Sequence, residues 1–326
     1  MNRLLIRKCV HESSLLLLAC ASMLFVFCWM RVWIVCQFDL QKFEPLLEQF
    51  RIFEKFSPVP FEQLLTYAGS IGMSFSEPVL ILCVLVWSIA RGSDVVSGEL
   101  GRGTLEMLLS RPISRTRLLV VHFSVCTLGL AVLCSIAWMG IAVGIHTNSV
   151  TETMSSSAEL KIPFLPVGIP LQFGESVEVQ TPLASRVAAS RFLPTTVNLF
   201  AFGFLMLGLS TLLSCVDRYR WRTIGIVISI YVVQLLMFLL SKAVSSWRWL
   251  EDFTFFTNYQ PDAIVHLAGS QPQLAWSLIV PVGQRSVLWP HTLGPLGLSL
   301  QMILYGSLCF AIGLYLFHRR DLPAPL

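Results

Sequence analysis

Six long apolar runs, separated by more polar connections, organise the chain. They cover residues 14–36, 68–90, 118–145, 193–216, 223–243 and 294–317. A helix needs about 20 largely apolar residues to cross the hydrocarbon core of a bilayer. Because lipid offers the backbone no hydrogen-bond partners, each run is predicted to be helical. The pattern predicts an all-α integral membrane protein in which residues 1–326 form a single domain with six transmembrane helices.

Three of the connections are long and lie on the same predicted side. They cover residues 37–67, 146–192 and 244–293. Residues 45–56 carry apolar side chains at helical spacing and predict a short amphipathic helix. Residues 173–179 predict a short strand or hairpin. Residues 274–282 are apolar but too short to cross, which predicts a re-entrant or interfacial segment. Four tryptophans in the last connection predict an interfacial belt: Trp247, Trp249, Trp276 and Trp289.

The composition agrees with a membrane protein and excludes most soluble classes. Hydrophobic residues make up 55% of the chain and charged residues only 13%, whereas about a quarter of an average soluble domain is charged. With so few charges, a water-facing globule of this size could not be covered. A soluble enzyme, a disordered protein and a free nucleic-acid binder are therefore excluded.

The positive charges predict the orientation. The two termini and the second and fourth connections hold 13 of the 23 Lys and Arg residues, although these segments are much shorter than the three long connections. Positive charges near transmembrane helices favour the cytoplasm. Both termini are therefore predicted to be cytoplasmic, in a multi-pass protein of the cytoplasmic membrane.

The connection after the second run, residues 91–115, has the most informative pattern. The second helix is predicted to continue to about Leu100. Gly101-Arg102-Gly103 is predicted to end it, because two glycines permit a sharp turn. Thr104 is a good N-cap for a second short helix, which ends before Pro112. Leu105, Leu108 and Leu109 share one face of that helix.

This short elbow has two interpretations from its residues alone. Its arginines could hold it on anionic lipid head groups as a membrane-surface helix. Alternatively, its leucine face could dock into a groove on a cytoplasmic protein.

The same segment resembles a known family. Its motif comprises Asp94, Gly98, Glu99, Gly103, Thr104, Leu105, Glu106, Leu108, Leu109, Ser110, Pro112, Ile113, Ser114 and Arg115. In this order and spacing it is similar to the cytoplasmic signature of ABC-2-type transporter permeases. The basic tail after the last run, Phe317–Pro323, and the six-helix plan also resemble these permeases.

The resemblance implies a function and a set of contact residues. The chain would be the membrane subunit of an ATP-driven exporter, paired with a second permease copy or homologue and resting on separate ATP-binding subunits. The elbow would be the coupling helix, with Glu99, Gly103, Thr104, Leu105, Glu106, Leu108, Leu109, Pro112 and Arg115 contacting the ATPase. Arg218, Arg220 and Arg222 would form a second contact, and residues 1–11 an amphipathic connecting helix.

Motifs for chemistry within the chain are missing. A P-loop needs Gly-x-x-x-x-Gly-Lys-Ser/Thr, and none of the five lysines follows a glycine. ATP and Mg²⁺ are therefore expected on the partner ATPase, with no cofactor, metal or catalytic residue in this chain. No His-Glu-x-x-His or Gly-x-Ser-x-Gly occurs. Nucleic acid is not an expected partner, whereas membrane lipid is.

Two carboxylates and a glycine pair have open alternatives. Glu77, before Pro78, could line a translocation path or lie near the outer interface where the regular helix begins. Glu99 could pair with Arg102, if the helix persists past Gly101, or with Arg7 or Lys8 of the N-terminal segment. Gly140 and Gly144 permit close helix approach, within the chain or in a dimer.

The sequence therefore predicts a permease subunit of an ABC exporter with an unidentified substrate. One alternative is a non-transporting membrane scaffold with the permease fold, as in motility or assembly complexes. The other is an ion-coupled carrier, for which several intramembrane charges would be expected.

Overall fold

Eight α-helices form the main body of the computed structural model, which describes residues 2–37, 66–103, 114–154, 157–160, 169–172, 177–281, 289 and 292–319. The helices are α1 Asn2–Gln37, α2 Tyr67–Gly72, α3 Pro78–Ser93, α4 Arg115–Thr147, α5 Leu193–Val216, α6 Arg220–Ala243, α7 Pro261–Ser270 and α8 Pro295–Arg319. Six helical segments are long and apolar enough to span a membrane. The chain is a multi-pass membrane protein, and the six predicted helices are confirmed.

The first helix is longer than the first apolar run. It is continuous from Asn2 to Gln37, because no glycine or proline interrupts this stretch. Residues 1–11 are expected to form an amphipathic connecting helix, and residues 2–11 are helical as the first turns of α1. The segment around residues 45–56, predicted to be a second amphipathic helix, lies outside the described residues.

The second apolar run is a broken helix. The short helix α2 is followed by a 3₁₀ turn, Met73–Phe75, and α3 begins at Pro78 with Glu77 as its N-cap residue. Proline is favoured in the first turn because it has no backbone N–H to leave unpaired. Residues beyond α3 continue as a π-helix, Asp94–Gly98, and one α-helical turn, Glu99–Gly101.

Helix α5 lies at the centre of the bundle and packs against α3, α4 and α8. Two thirds of its most apolar window is buried, whereas only 11% of the corresponding window of α6 is buried. The sequence alone does not predict which of the two helices is buried, because both are apolar all round. Helix α5 is therefore the centre against which α3, α4 and α8 pack, whereas α1 packs mainly against α4.

Small residues bring helices into close contact. A Cβ at Gly140 would lie 2.8 Å from the Phe25 carbonyl oxygen, and one at Gly144 would lie 2.8 Å from Val32 Cβ. The two glycines of α4 thus let α1 approach its backbone. Their predicted role in packing within the chain is confirmed.

The connection between α4 and α5 contains four short strands, β1 Ser149–Met154, β2 Ser157–Leu160, β3 Ile169–Gln172 and β4 Val177–Pro182. Strand β1 pairs antiparallel with β4, with Ser149 opposite Pro182, and β2 pairs antiparallel with β3, with Ser157 opposite Gln172. Of the predicted strand or hairpin at residues 173–179, residues 177–179 belong to β4, whereas residues 173–176 lie outside the described residues. The partner of β4 is the distant β1. This connection leads into the 3₁₀ turns Leu183–Ser185 and Ala189–Phe192.

The connection between α6 and α8 is folded from short elements. It contains the 3₁₀ segments Ser245–Phe253, Phe255–Asn258 and Leu274–Trp276 around α7. An isolated bridge joins Ile279 to Leu293. Three of its tryptophans are 46–59% exposed, as an interfacial belt requires, but Trp289 is buried and donates to the Leu293 carbonyl oxygen at 3.0 Å. The Trp289 prediction is wrong because its indole belongs to a small apolar core with Ile264 and Leu298.

Candidate functional site

The first residues of α1, the segment after α3, the start of α4 and the end of α8 meet at one end of the bundle, named here the terminal end. Leu5, Val96, Leu119 and Phe317 share one apolar cluster there. The opposite end, which carries Glu77 and the 3₁₀ segments, is named the loop end. The sequence motif falls at the terminal end, at the point where α3 gives way to the π-helix.

The π-helix is held by hydroxyl groups from a neighbouring helix. Ser214 Oγ of α5 accepts from the backbone N–H groups of Val96 and Ser97 at 3.2 and 3.0 Å, and donates to the Ser93 carbonyl oxygen at 3.0 Å. One hydroxyl has one donor and two acceptor positions, so all are used. A π-helix shifts the backbone pairing by one residue and is often found at functional sites. The Ser214 side chain stabilises this shift.

Asp94, the first residue of the π-helix, is at the centre of a buried ionic cluster. Its Oδ2 lies 3.3 Å from Arg91 Nη1, and its Oδ1 lies 2.8 Å from Arg102 Nη1 and 3.2 Å from Arg220 Nη1. The side chains of Asp94 and Arg91 are each only 5% exposed. A buried carboxylate needs such partners, because removing it from water without compensation is unfavourable by several kcal/mol.

Gly98 makes room for this carboxylate. A Cβ at Gly98 would lie 2.3 Å from Asp94 Oδ1, well inside any permitted contact. The i, i+4 spacing of Asp94 and Gly98 in the motif therefore has a steric reason. By contrast, a Cβ at Gly101 would meet nothing within 4 Å, and Gly103 has a positive φ of 67° that ends the helix.

Glu99 extends the cluster to the first helix. Its Oε1 lies 3.0 Å from Lys8 Nζ and 3.1 Å from Arg102 Nη2. Glu99 pairs with residues of both predicted alternatives. The pair with Arg102 forms although the helix ends at Gly101, with Arg102 as its C-cap residue. The partner on α1 is Lys8. Arg102 bridges the two carboxylates. Burial lowers the pKa of its guanidinium, but the hydrogen bond to Asp94 and the charges of Asp94 and Glu99 outweigh this and hold the pKa above its ordinary value.

The cluster joins four helices. Arg220, the first residue of α6, also donates to the Ala90 carbonyl oxygen at 3.1 Å. Arg91 Nη2 lies 3.3 Å from Nε2 of His122 on α4. Lys8 brings in α1, and Asp94 and Glu99 belong to the continuation of α3. Glu12 of α1 also lies 3.6 Å from Lys8 Nζ. In the described residues, four cations thus face three carboxylates.

The predicted contact residues are only partly brought together. Arg220 points to Asp94, whereas Arg222 pairs with Asp217 at 3.5 Å and Arg218 lies over the Tyr219 ring. The three arginines thus have different surroundings. Arg115 begins α4 after the N-cap Ser114, which accepts from the Arg117 N–H at 3.3 Å. The other contact residues, Thr104, Leu105, Glu106, Leu108, Leu109 and Pro112, lie outside the described residues.

Glu77 lies at the loop end, far from the ionic cluster in the bundle. Its Oε1 is 2.7 Å from Arg31 Nε of α1, and both side chains are partly exposed. As the N-cap residue of α3, it occupies the position expected if the regular helix begins at Pro78. A role in a translocation path stays a prediction.

Sequence reasoning identified Asp94 as part of the motif but missed its buried pairing with Arg91. It also missed the loop-end acid Asp262. Asp262 is buried on α7 and accepts from Ser76 Oγ at 2.5 Å. Burial raises the pKa of this carboxyl group, although the Ser76 hydrogen bond opposes the shift. Among the described residues, no three His, Cys, Asp or Glu side chains group as a metal site.

Comparison of the chain with protein-family models and with curated protein sequences found no match. The geometry and the motif are therefore the basis on which a function can be proposed.

Proposed function

We propose that this protein is the permease subunit of an ATP-driven exporter of the ABC-2 type. The terminal end would face the cytoplasm, where a separate ATP-binding subunit supplies ATP and Mg²⁺ chemistry. A second permease copy or homologue would complete the pathway. The substrate would cross the cytoplasmic membrane outward between the two permeases.

One observation carries the proposal: two acidic residues of the motif, Asp94 and Glu99, are the centre of the ionic cluster. Asp94 and Glu99 contact Lys8 of α1 and Arg220 of α6 directly. The elbow, residues 98–115, begins within this cluster and turns at Arg102 and Gly103. A force applied to the elbow therefore reaches α1, α3 and α6 through charge pairs between 2.8 and 3.3 Å long.

The mechanism follows from this connection. ATP binding would close the two ATPase subunits, and their movement would displace the elbow at residues 98–115. Binding energy in a partner can bias the helices only through contacts that differ between two states. The ionic cluster supplies such contacts, because it is buried at its centre and shared among several helices. The helices would then rearrange together and alternate the access of the substrate path.

Co-purification tests the proposal. The chain is affinity-purified in mild detergent from its native membrane, and bound proteins are identified by mass spectrometry. A P-loop ATPase with ATP hydrolysis activity should co-purify. Replacing Leu108 and Leu109 together by Asp should abolish co-purification and leave the chain in the membrane fraction, because a charged face cannot enter an apolar groove.

The matched control replaces another pair of neighbouring apolar residues, which lie at the loop end of the bundle. Leu278 and Ile279 are exposed at the loop end, so their replacement by Asp should leave the ATPase bound. Retention of the ATPase by the Leu108 and Leu109 variant, or its loss in both variants, contradicts the coupling role of the elbow.

The buried charges favour a second candidate, an ion-coupled carrier. Arg91, Asp94 and Glu99 all lie within the segment Tyr67–Gly101 that is long and apolar enough to span the membrane. Intramembrane ionisable groups are a common feature of ion pathways. Substrate transport driven by an imposed ion gradient in liposomes without ATP would support the carrier; a strict need for ATP and the ATPase would support the exporter.

A further inference from the structure

A cavity of about 550 Å³ opens at the loop end, between α5, α8 and the 3₁₀ segments that follow α6. Its size lies within the usual range of small-molecule sites. Its lining includes the polar side chains of Asp252, Thr257, Gln301 and Tyr305. It also includes the apolar side chains of Leu205, Phe253 and Leu298. The cavity can thus accept a molecule with one polar and one apolar part.

The wall of the cavity is preformed. Thr254 Oγ1 donates to the Gln234 carbonyl oxygen of α6 at 3.2 Å, and Gln234 Oε1 accepts from the Phe255 N–H at 3.3 Å. On the other side, Asn198 Nδ2 of α5 donates to the Asn258 carbonyl oxygen at 3.0 Å. These bonds fix the 3₁₀ segments between two helices. A ligand would therefore meet little ordering cost in the protein.

The position of the cavity indicates where its ligand comes from. The neighbouring surface of α8 exposes Leu300, Leu304 and Leu308, and Phe253 at the cavity is 67% exposed. The exposed indoles of Trp247 and Trp249 lie in the same 3₁₀ segment as Phe253. Tryptophans of this kind are typical of the boundary between hydrocarbon and water. The cavity is therefore at the height where a lipid head group joins its chain.

The charge at the cavity selects the head group. Asp252 is exposed and has no ion-pair partner among the described residues, whereas the adjacent Glu251 is paired with Lys242 at 2.7 Å. Asp252 is the one charged side chain in the described lining. The remaining polar lining is neutral. A cationic amine is the group that complements this surface, through a charge-assisted hydrogen bond.

We propose that this cavity binds an amphiphile from the bilayer, with an amine head group at Asp252 and an alkyl chain along Leu205, Phe253 and Leu298. Gln301 donates to the Tyr305 hydroxyl oxygen at 2.8 Å, which orients both of these lining side chains. The site does not depend on how transport is driven, and its test is separate from that of the proposed function.

Photolabelling tests the site with the full chain in lipid nanodiscs. The probe is a long-chain alkylamine with a diazirine in its chain, compared with the alcohol and the carboxylate of the same chain. The amine should label peptides covering residues 251–258 and 292–305. Asp252→Asn should weaken amine labelling about tenfold, as loss of a charge-assisted hydrogen bond predicts, and should leave the alcohol unchanged.

Two further variants keep the test decisive. Glu251→Gln removes the neighbouring carboxylate outside the lining and should leave amine labelling intact. Thr292→Trp fills the exposed mouth of the cavity and should block labelling of residues 292–305 by all three probes. Equal labelling by the amine and the carboxylate, or labelling that survives Thr292→Trp, overturns the proposal.

Discussion

Charged groups are compensated in different ways at the two ends of the bundle. At the terminal end, Asp94 and Glu99 are shared among cations from different helices. At the loop end, neutral partners hold a buried acid and a half-buried arginine: Asp262 accepts from Ser76 Oγ, and Arg191 Nε donates to the Val265 carbonyl oxygen at 3.1 Å. The Arg31–Glu77 pair there joins one cation to one carboxylate.

This difference has a mechanical consequence. A charge shared among helices links their positions, because moving one helix changes the compensation of all the others. Asp262 and Arg191 each contact a neutral group of one other element, so each joins only two elements. The terminal end is therefore suited to transmit movement, whereas the loop end is suited to hold a defined surface.

The largest expected effect is at the centre of the terminal-end cluster. Asp94→Asn removes the carboxylate opposite Arg91, which is 5% exposed, and leaves an uncompensated buried charge. Breaking such a pair is unfavourable by about 3–5 kcal/mol. Unfolding in mixed micelles should show a decrease in stability of this order.

The matched control at the same end is Asp217→Asn. Asp217 pairs with the half-exposed Arg222 at 3.5 Å and accepts from the N–H groups of Arg218 and Tyr219, which an amide oxygen can also do. Its substitution should lower stability by less than about 1 kcal/mol. Equal losses in the two variants would show that Asp94 has no special role.

Two glycine substitutions test the placement of the Asp94 carboxylate sterically. Gly98→Ala would push the Asp94 carboxylate out of place, since the added Cβ lies 2.3 Å from Oδ1. Overpacking of this kind typically lowers stability by about 1–3 kcal/mol. Gly101→Ala, with nothing within 4 Å, should be neutral or stabilise by up to about 1 kcal/mol. Similar unfolding curves for the two variants would contradict this account of the motif.

The sequence predicted the helices well, because six apolar runs of sufficient length allow little else in a bilayer. It also predicted the partners of Glu99, since spacing along a helix and the basic N-terminal segment indicate them. It missed Arg91 and Asp94 as a buried pair. Arg91 has the pattern of an ordinary positive charge at a membrane boundary, and the approach of Arg220 depends on how α6 packs.

Two further features could not be predicted for physical reasons. The π-helix changes the backbone register without any proline or glycine at its start, and its stabilising hydroxyl, Ser214, is distant in sequence. Asp262 follows a proline in the first turn of α7, where acidic residues are common at exposed helix ends. Its burial results from the packing of α7 against α2 and the following 3₁₀ turn. For the buried carboxylate of Asp94, the sequence did contain one indication, which is the glycine four residues later at Gly98.

At the loop end, Asp262→Asn tests whether the neutral Ser76 hydroxyl is the main partner of the Asp262 carboxyl group. Burial raises the folded-state pKa of Asp262. The protonated carboxyl group therefore contributes fully to stability below the unfolded-state pKa of about 3.9. This contribution is lost as the pH rises through the folded-state pKa. At pH 8 the charged form is unfavourable, and the variant should melt roughly 2 °C or more above the wild type. The difference should shrink as the pH falls towards 4.

Thermal unfolding in detergent, followed by intrinsic fluorescence at several pH values, measures this difference. Asp252→Asn is the control, because Asp252 is exposed in the same connection. It should show no pH-dependent gain. A wild type that is more stable than Asp262→Asn at pH 8 would mean that the carboxylate is compensated by more than the Ser76 hydroxyl.

The smallest expected effect is at Glu77, where the two proposed roles of this residue separate. Its pair with Arg31 is 2.7 Å long and partly exposed, so Glu77→Gln should lower stability by less than about 1 kcal/mol. A double-mutant cycle with Arg31→Gln isolates the pair, and transport is measured in the same preparations. If Glu77 only begins α3 and pairs with Arg31, both single variants should transport equally, because each removes the same ion pair. If Glu77 lines the path, Glu77→Gln should reduce transport more than Arg31→Gln does at equal stability, since substrate would meet the carboxylate itself.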